Sequence, residues 1–338
     1  MTRKERVQAA LLHKETDRLP VSVWMHFNEH DQDPRSLAEY QVYFNEKYDY
    51  DFIKLMPFGA YSTPDWGAKL DIYCDKYKEV VISAPGIASC DDYYRIKALP
   101  PVYGSWGRTL QLAQYMSKLV KKDTPFIQTV FSPATTLRKL AGARLVEDMK
   151  SNPSAVHSAL FEITKTTVDF VKANIEAGVS GFFFATQCAS YDYISTEMHA
   201  EFCKPYDLQV INSFKDATYF NALHIHGSKV MFDIVKDYPV HALSWHDRFE
   251  HGPDFSSARK ISDKTFIGGI KDAPEVVNGA LKYSSFLAAS TPAQIKEHVR
   301  EAIALADGGK GLIVAPGCVA DPRTPCENLK AVREAVER

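Results

Sequence analysis

Short apolar runs alternate with amphipathic stretches along most of this chain, the pattern left by parallel strands joined through helical crossovers. A first helix is expected over Thr2 to His13, where Val7, Ala10, Leu11 and Leu12 recur at helical spacing. Strand-like runs then follow at Leu19 to Met25, Phe52 to Leu55, Phe126 to Phe131, Gly181 to Ala185, Phe220 to His226, Ala242 to Trp245, Thr265 to Gly269 and Gly311 to Ala315. Helical stretches such as Val156 to Ala177, Thr196 to Asp216 and Pro292 to Ala306 lie between the later runs. Eight strands alternating with helices over 338 residues predict an α/β fold, a single (β/α)8 TIM barrel domain spanning residues 1–338. A doubly wound sheet fits less well, because no G-x-G-x-x-G or Walker loop follows any strand. Residues 58–104 break the rhythm with Gly- and Pro-punctuated β-formers, and predict a β-rich insertion, a hairpin or lid over the C-terminal face.

Candidate chemistry sits at the C-terminal ends of these runs, where barrel enzymes carry their sites. In Leu223-His224-Ile225-His226-Gly227, residues two apart share a face, so His224 and His226 present two imidazoles to one point. The last run ends in Pro316-Gly317-Cys318, which puts a cysteine at the barrel mouth rather than inside the apolar run. Two histidines and a thiol form a borderline-soft set that favours zinc, one ion per chain, over magnesium or calcium. The sixth run ends in His246-Asp247. There Asp247 is the expected additional metal ligand and His246 the expected acid/base group. Trp24, His26, Asn28, Phe131, Gln187 and Tyr191 also follow strand ends and are the candidate substrate-binding residues.

Composition narrows the partners. The chain is 45% hydrophobic and 24% charged, ordinary for a globular protein, with a formal net charge of -2. No basic run offers nucleic acid an electrostatic foothold, so a small neutral or acidic molecule is the expected substrate. No apolar stretch approaches the roughly 18–20 residues that span a bilayer, and the opening residues lack the apolar core and cleavage site of a signal peptide. Six scattered cysteines suit free thiols in a reducing compartment. The expectation is a cytoplasmic protein with no nucleic-acid or membrane partner.

Several of these segments together resemble the uroporphyrinogen decarboxylase superfamily, in particular its zinc-dependent corrinoid and coenzyme M methyltransferase branch. The resemblance runs over nearly the whole length. It is carried by Asp17-Arg18-Leu19-Pro20-Val21, Tyr50-Asp51-Phe52-Ile53-Lys54, Phe131-Ser132-Pro133, Phe202 to Tyr206, His224-x-His226-Gly227, Ala315-Pro316-Gly317-Cys318 and Pro325-x-Glu327-Asn328-Leu329. It implies a (β/α)8 barrel and a zinc-dependent methyl or alkyl transferase that activates a thiol or small acceptor, with the corrinoid carried by a partner protein as methyl donor. It also implies that Asp247 occupies the open metal position until substrate arrives. Two departures matter. No arginine follows Trp24 until Arg35, which argues against gripping a tetrapyrrole's carboxylates. The branch usually has His-x-Cys, whereas this chain places His226 where the middle cysteine would stand, making the site one unit less negative. A metal-dependent lyase, decarboxylase or hydrolase acting on a small acidic substrate is the alternative reading.

Overall fold

The structure, a computed structural model, describes residues 1–249, 252–271 and 285–337, together with two short strands between the last two of these segments. In chain order the strands are β1 (Ile53–Lys54), β2 (Lys69–Asp71), β3 (Val81–Ala84), β4 (Phe126–Phe131), β5 (Gly181–Thr186), β6 (Ala222–Ile225), β7 (Ala242–Trp245), β8 (Thr265–Ile270), β9 (Glu275–Val277), β10 (Ala280–Lys282) and β11 (Leu312–Pro316). Seven of them form one sheet in the order β1-β4-β5-β6-β7-β8-β11, every neighbour parallel. Helices fill the crossovers, the longest being Pro153–Glu176.

The run Leu19 to Met25, expected as the first full strand, makes only one parallel bridge, between Val21 and Val314. It still closes the ring. On one side Ser22 N donates to the Val314 carbonyl (3.0 Å) and Val314 N to that of Pro20 (2.9 Å). On the other, Asp51 N donates to the Val21 carbonyl (2.8 Å) and Ser22 Oγ to that of Phe52 (2.8 Å). Regular pairing is interrupted because Pro20 has no amide to donate and the Val21 amide is taken by the Asp51 carboxylate (2.8 Å). The curled sheet, closed by this segment, is the expected TIM-barrel-like fold.

Strand side chains sort by the period of two. Phe52, Ile127, Phe183, Ala222, Ala242, Ile267, Ile313 and Ala315 pack together inside the ring with Trp24. Their neighbours Leu223, Ile225, Leu243, Phe266, Leu312 and Val314 face outward into the larger core under the helices. The opening helix, Arg3–Leu11, adds Val7 and Ala10 to the interior cluster. Thr265, the first residue of β8, donates to the Ala10 carbonyl (3.1 Å). That helix therefore stoppers the N-terminal end of the ring and leaves the C-terminal end for chemistry. Within the predicted insertion, β2 and β3 pair antiparallel as a hairpin, and Glu79 beside it reaches the mouth of the ring.

Asp51 latches the closure. Its carboxylate, fully buried, accepts from Arg6 Nη1 (2.6 Å), Arg18 Nη1 (2.6 Å), Arg18 Nη2 (3.0 Å) and the Val21 amide. One side chain thus ties the stopper helix, the closing segment and β1 together. Removing it takes the close carboxylate from the buried Arg18 guanidinium and leaves Arg6 to Asp17 (2.8 Å), a loss of about 3–5 kcal/mol. Asp51→Ala is expected to lower the chemical denaturation midpoint accordingly; a loss under about 1 kcal/mol, typical of a surface pair, would show that the latch is dispensable.

Candidate metal centre

The same alternation sets which residues meet at the mouth. Along β6 and beyond, Ala222, His224 and His226 point inward; along β7 and beyond, Ala242, Ser244 and His246 do. Gly227, with φ of 102°, turns the chain away just after His226. Cys318 follows β11 and its Pro-Gly turn, and the Trp24 indole donates to its backbone carbonyl. One donor atom from each of His224, His226, His246 and Cys318 lies within 4.8 Å of the other three.

Sequence reasoning placed Asp247 in this set; the structure brings His246 there instead. Asp247 follows Trp245 onto the outer face, is 3% exposed, and turns both carboxylate oxygens to the Gly269 amide (3.0 and 3.1 Å). A Cβ at Gly268 would stand 2.4 Å from its Oδ1, so glycine there makes room for the carboxylate. Burial pushes this carboxyl up to about 7, with the Gly269 amide opposing. The geometry gives Asp247 the task of tying the end of β7 to β8.

The donor set fits zinc. Tetrahedral zinc, with bonds of about 2.0–2.1 Å to nitrogen and 2.3 Å to sulfur, needs ligand atoms roughly 3.4–3.7 Å apart. Cys318 Sγ and His226 Nδ1 are 3.5 Å apart. His224 Nδ1 is hydrogen-bonded to Ser244 Oγ (3.3 Å), while its buried Nε2 has no hydrogen-bond partner among the described residues. A buried imidazole nitrogen with nothing to bind is costly unless a cation takes it. All three imidazoles are held neutral, as metal ligands must be. Burial is the largest cause in each case: it drives His224 well below 6.5, His226 to about 3 and His246 to about 4, and His246 lowers the other two further.

The centre opens into a cavity of about 320 Å3. Of the predicted substrate-binding residues, His26, Phe131 and Gln187 line it. Trp24 does not: it lies beneath, packed edge-on against Phe183 (5.5 Å). Asn28 donates to the Lys76 carbonyl (3.1 Å) in a neighbouring crevice, and Tyr191 is exposed outside the cavity. Arg35 pairs with Glu39 on the surface.

Two lysines not singled out from sequence are prominent in the wall. Lys54, 6% exposed on β1, has Nζ 4.6 Å from the centroid of the Phe183 ring, which in turn stacks on His224. Its hydrogen-bond partner is the Met56 thioether (2.7 Å), a weak acceptor. Burial lowers Lys54 to about 7 and Lys139 to about 8, while Cys318 acts on both in the opposite sense. Among the described residues neither forms an ion pair. The signal for Lys54 was legible as a lysine on the inward face of an apolar strand; nothing local marked Lys139.

A parallel ring with His and Cys donors gathered at its C-terminal mouth defines a TIM-barrel-like protein with a candidate metal site. The chain belongs to the uroporphyrinogen decarboxylase (URO-D) family, whose model matches residues 2–338. It is 22% identical over 251 residues to the methylcobamide:CoM methyltransferase MtbA of Methanosarcina acetivorans, and 21% identical over 252 residues to that of Methanosarcina mazei; each match covers 74% of this chain and 69% of the relative. A solved methyltransferase from Methanosarcina mazei superposes with a TM-score of 0.79 at 18% identity, covering 99% of this chain and 98% of that one. A B12-independent methionine synthase from Shewanella sp. W3-18-1 gives 0.54 at 14% identity, covering 93% and 92%. No helix among the described residues is long and apolar enough to cross a membrane.

Cys318→Ser is expected to lower zinc content sharply by elemental analysis, whereas Asp247→Asn retains most of it; the reverse pattern would return the ligand role to Asp247. A second expectation concerns acid. An imidazole whose folded-state pKa is depressed stabilises the fold above about 6.5 and loses that contribution as pH falls, toward 4 for His246 and 3 for His226. Tm of the metal-free protein should therefore drop between pH 6.5 and 4, and drop less in a His226→Asn, His246→Asn double variant. Equal slopes would refute buried neutral imidazoles.

Proposed function

We propose that this protein is a zinc-dependent methyl (or other alkyl) transferase that takes its methyl group from a corrinoid carried on a partner protein and passes it to a thiol. The observation that carries this reading is the meeting of three neutral imidazoles and one thiol at a cavity mouth. The names of the MtbA relatives supply the methyl donor class. Zinc, when bound, supplies the positive charge that stabilises an acceptor thiol as thiolate at neutral pH. His224, His226 and Cys318 are the constant holders. His246, carried past the end of β7 into a loop, is the exchangeable side chain that yields its place to the acceptor.

With three neutral histidines and one thiolate, the donor set carries a single negative charge, so the positive field at the acceptor sulfur is stronger than a two-thiolate set would leave. Lys54 adds to it. Its amine, held over Phe183 with no ion pair among the described residues, favours the acceptor's ionised form when it is protonated. Phe131, Phe183 and Met56 keep the chamber dry, which strengthens each of these interactions. In the transfer the acceptor sulfur attacks the methyl carbon, the C–S bond forms, and the cobalt–carbon bond breaks with its electron pair left on cobalt. The thiol proton departs before that step, past His246 to solvent.

The test is methyl transfer from a methylated corrinoid to a panel of thiols by the zinc-loaded protein. Turnover that needs the metal but no methyl donor would favour a lyase or hydrolase instead. Lys54→Met is expected to cut kcat/KM by roughly 10–100-fold, the loss of one charge-assisted interaction of about 1.5–3 kcal/mol, and to move the rising limb of the pH–rate profile to higher pH. An unmoved profile would remove Lys54 from this role.

A further inference from the structure

Arg138 and Lys139 are neighbours on the helix Pro133–Ala141, which starts at Ser132, where Oγ accepts from the Thr135 amide (3.1 Å). They serve two different spaces. Lys139 lines the metal chamber and also a second cavity of about 750 Å3; Arg138 lines the second alone. This second space lies between β3, that helix, the helix Leu145–Ser151 and the loop after β5, and it shares Lys139 and Gln187 with the metal chamber. Leu145, Met149 and Ile194, all buried, give it an apolar wall.

Arg138 stands at the seam. Its guanidinium carbon sits 3.5 Å from the centroid of the Tyr193 ring, and Nη1 is 3.4 Å from the Gln187 carbonyl. No carboxylate among the described residues pairs with it. A half-buried guanidinium stacked on an aromatic ring, with most of its donor fork unengaged, is shaped for an anion that offers two oxygens to the fork. Burying a cation beside apolar walls is unfavourable until such a partner arrives. A short thiol would be served by the metal chamber alone and would leave both the apolar wall and Arg138 without contact.

We infer that the acceptor site is bipartite: the reacting thiol sits at the metal, and an apolar chain runs past Lys139 and Gln187 into the second cavity, where Arg138 holds an anionic end group. The ligand class is an elongated thiol with a carboxylate, sulfonate or phosphate at its far end. This rests on the thiol-acceptor reading for its reactive end, but Arg138 and the apolar wall stand independently of it.

The experiment is calorimetric titration of the zinc-loaded full chain with ω-mercaptoalkanoates of increasing length, with uncharged ω-mercaptoalkanols of the same lengths alongside. Affinity for the carboxylates is expected to rise at least tenfold from the shortest to the best chain, with the alkanols lagging. Arg138→Met should close the gap between carboxylate and alkanol, and Val146→Trp, which fills the second cavity, should abolish the gain with length. If Val146→Trp fails to fold, Arg138→Met decides alone. Affinity independent of length, or a gap that persists in Arg138→Met, would overturn the inference. Thiol-free alkanoates separate the two readings. Length- and Arg138-dependent binding of these, with no methyl transfer to any thiol, would sink the proposed function and leave the second cavity standing.

Discussion

Closure of the ring is the constraint on which everything else depends. A parallel sheet left open between β11 and β1 would expose amides and carbonyls at both edges, and it would let the mouth residues drift apart. Here a short segment fills the gap with only one formal bridge. It succeeds because Asp51 replaces a missing ladder bond and pairs with two arginines at once. The arrangement is buried, so its strength comes from completeness: every oxygen of the carboxylate is engaged.

The chemistry inherits its geometry from that closure. His224 and His226 come from β6, His246 from β7 and Cys318 from β11, so no local stretch of chain could bring the four together. The inward faces carry function at the mouth and plain packing below it. Phe183 and Trp24 form the layer beneath the His and Cys donors, and the Trp24 indole holds the Cys318 backbone. Burial then does two things to this layer. It keeps the imidazoles neutral and available, and it lowers Lys54 to about 7 and Lys139 to about 8, so that both lysines titrate near neutral pH in a wall with little screening.

Departures from the usual donor set acquire meaning in that setting. In the proposed centre, His226 and His246 would stand beside Cys318 as the sole thiolate. With zinc bound, such a centre would hold more Lewis acidity and give a less electron-rich sulfur in return.

Much of this was legible in the order of residues alone. Periods of two and of 3.6 are local consequences of backbone geometry, so seven of the eight strands, the stopper helix, the hairpin insertion and the H-x-H pair could all be read from the chain. The position of Cys318 past a Pro-Gly turn was equally local. What depended on the folded state was facing and distance. Whether His246 or Asp247 points into the ring follows from the register of β7 against β8, and only Gly268 and Gly269 across that pair explain why the carboxylate turns away. Lys139 and Arg138 look like an ordinary basic turn of helix until the hairpin and the loop after β5 pack over them, because burial, and the absence of an ion pair among the described residues, belong to the assembled surface, and no single segment carries them.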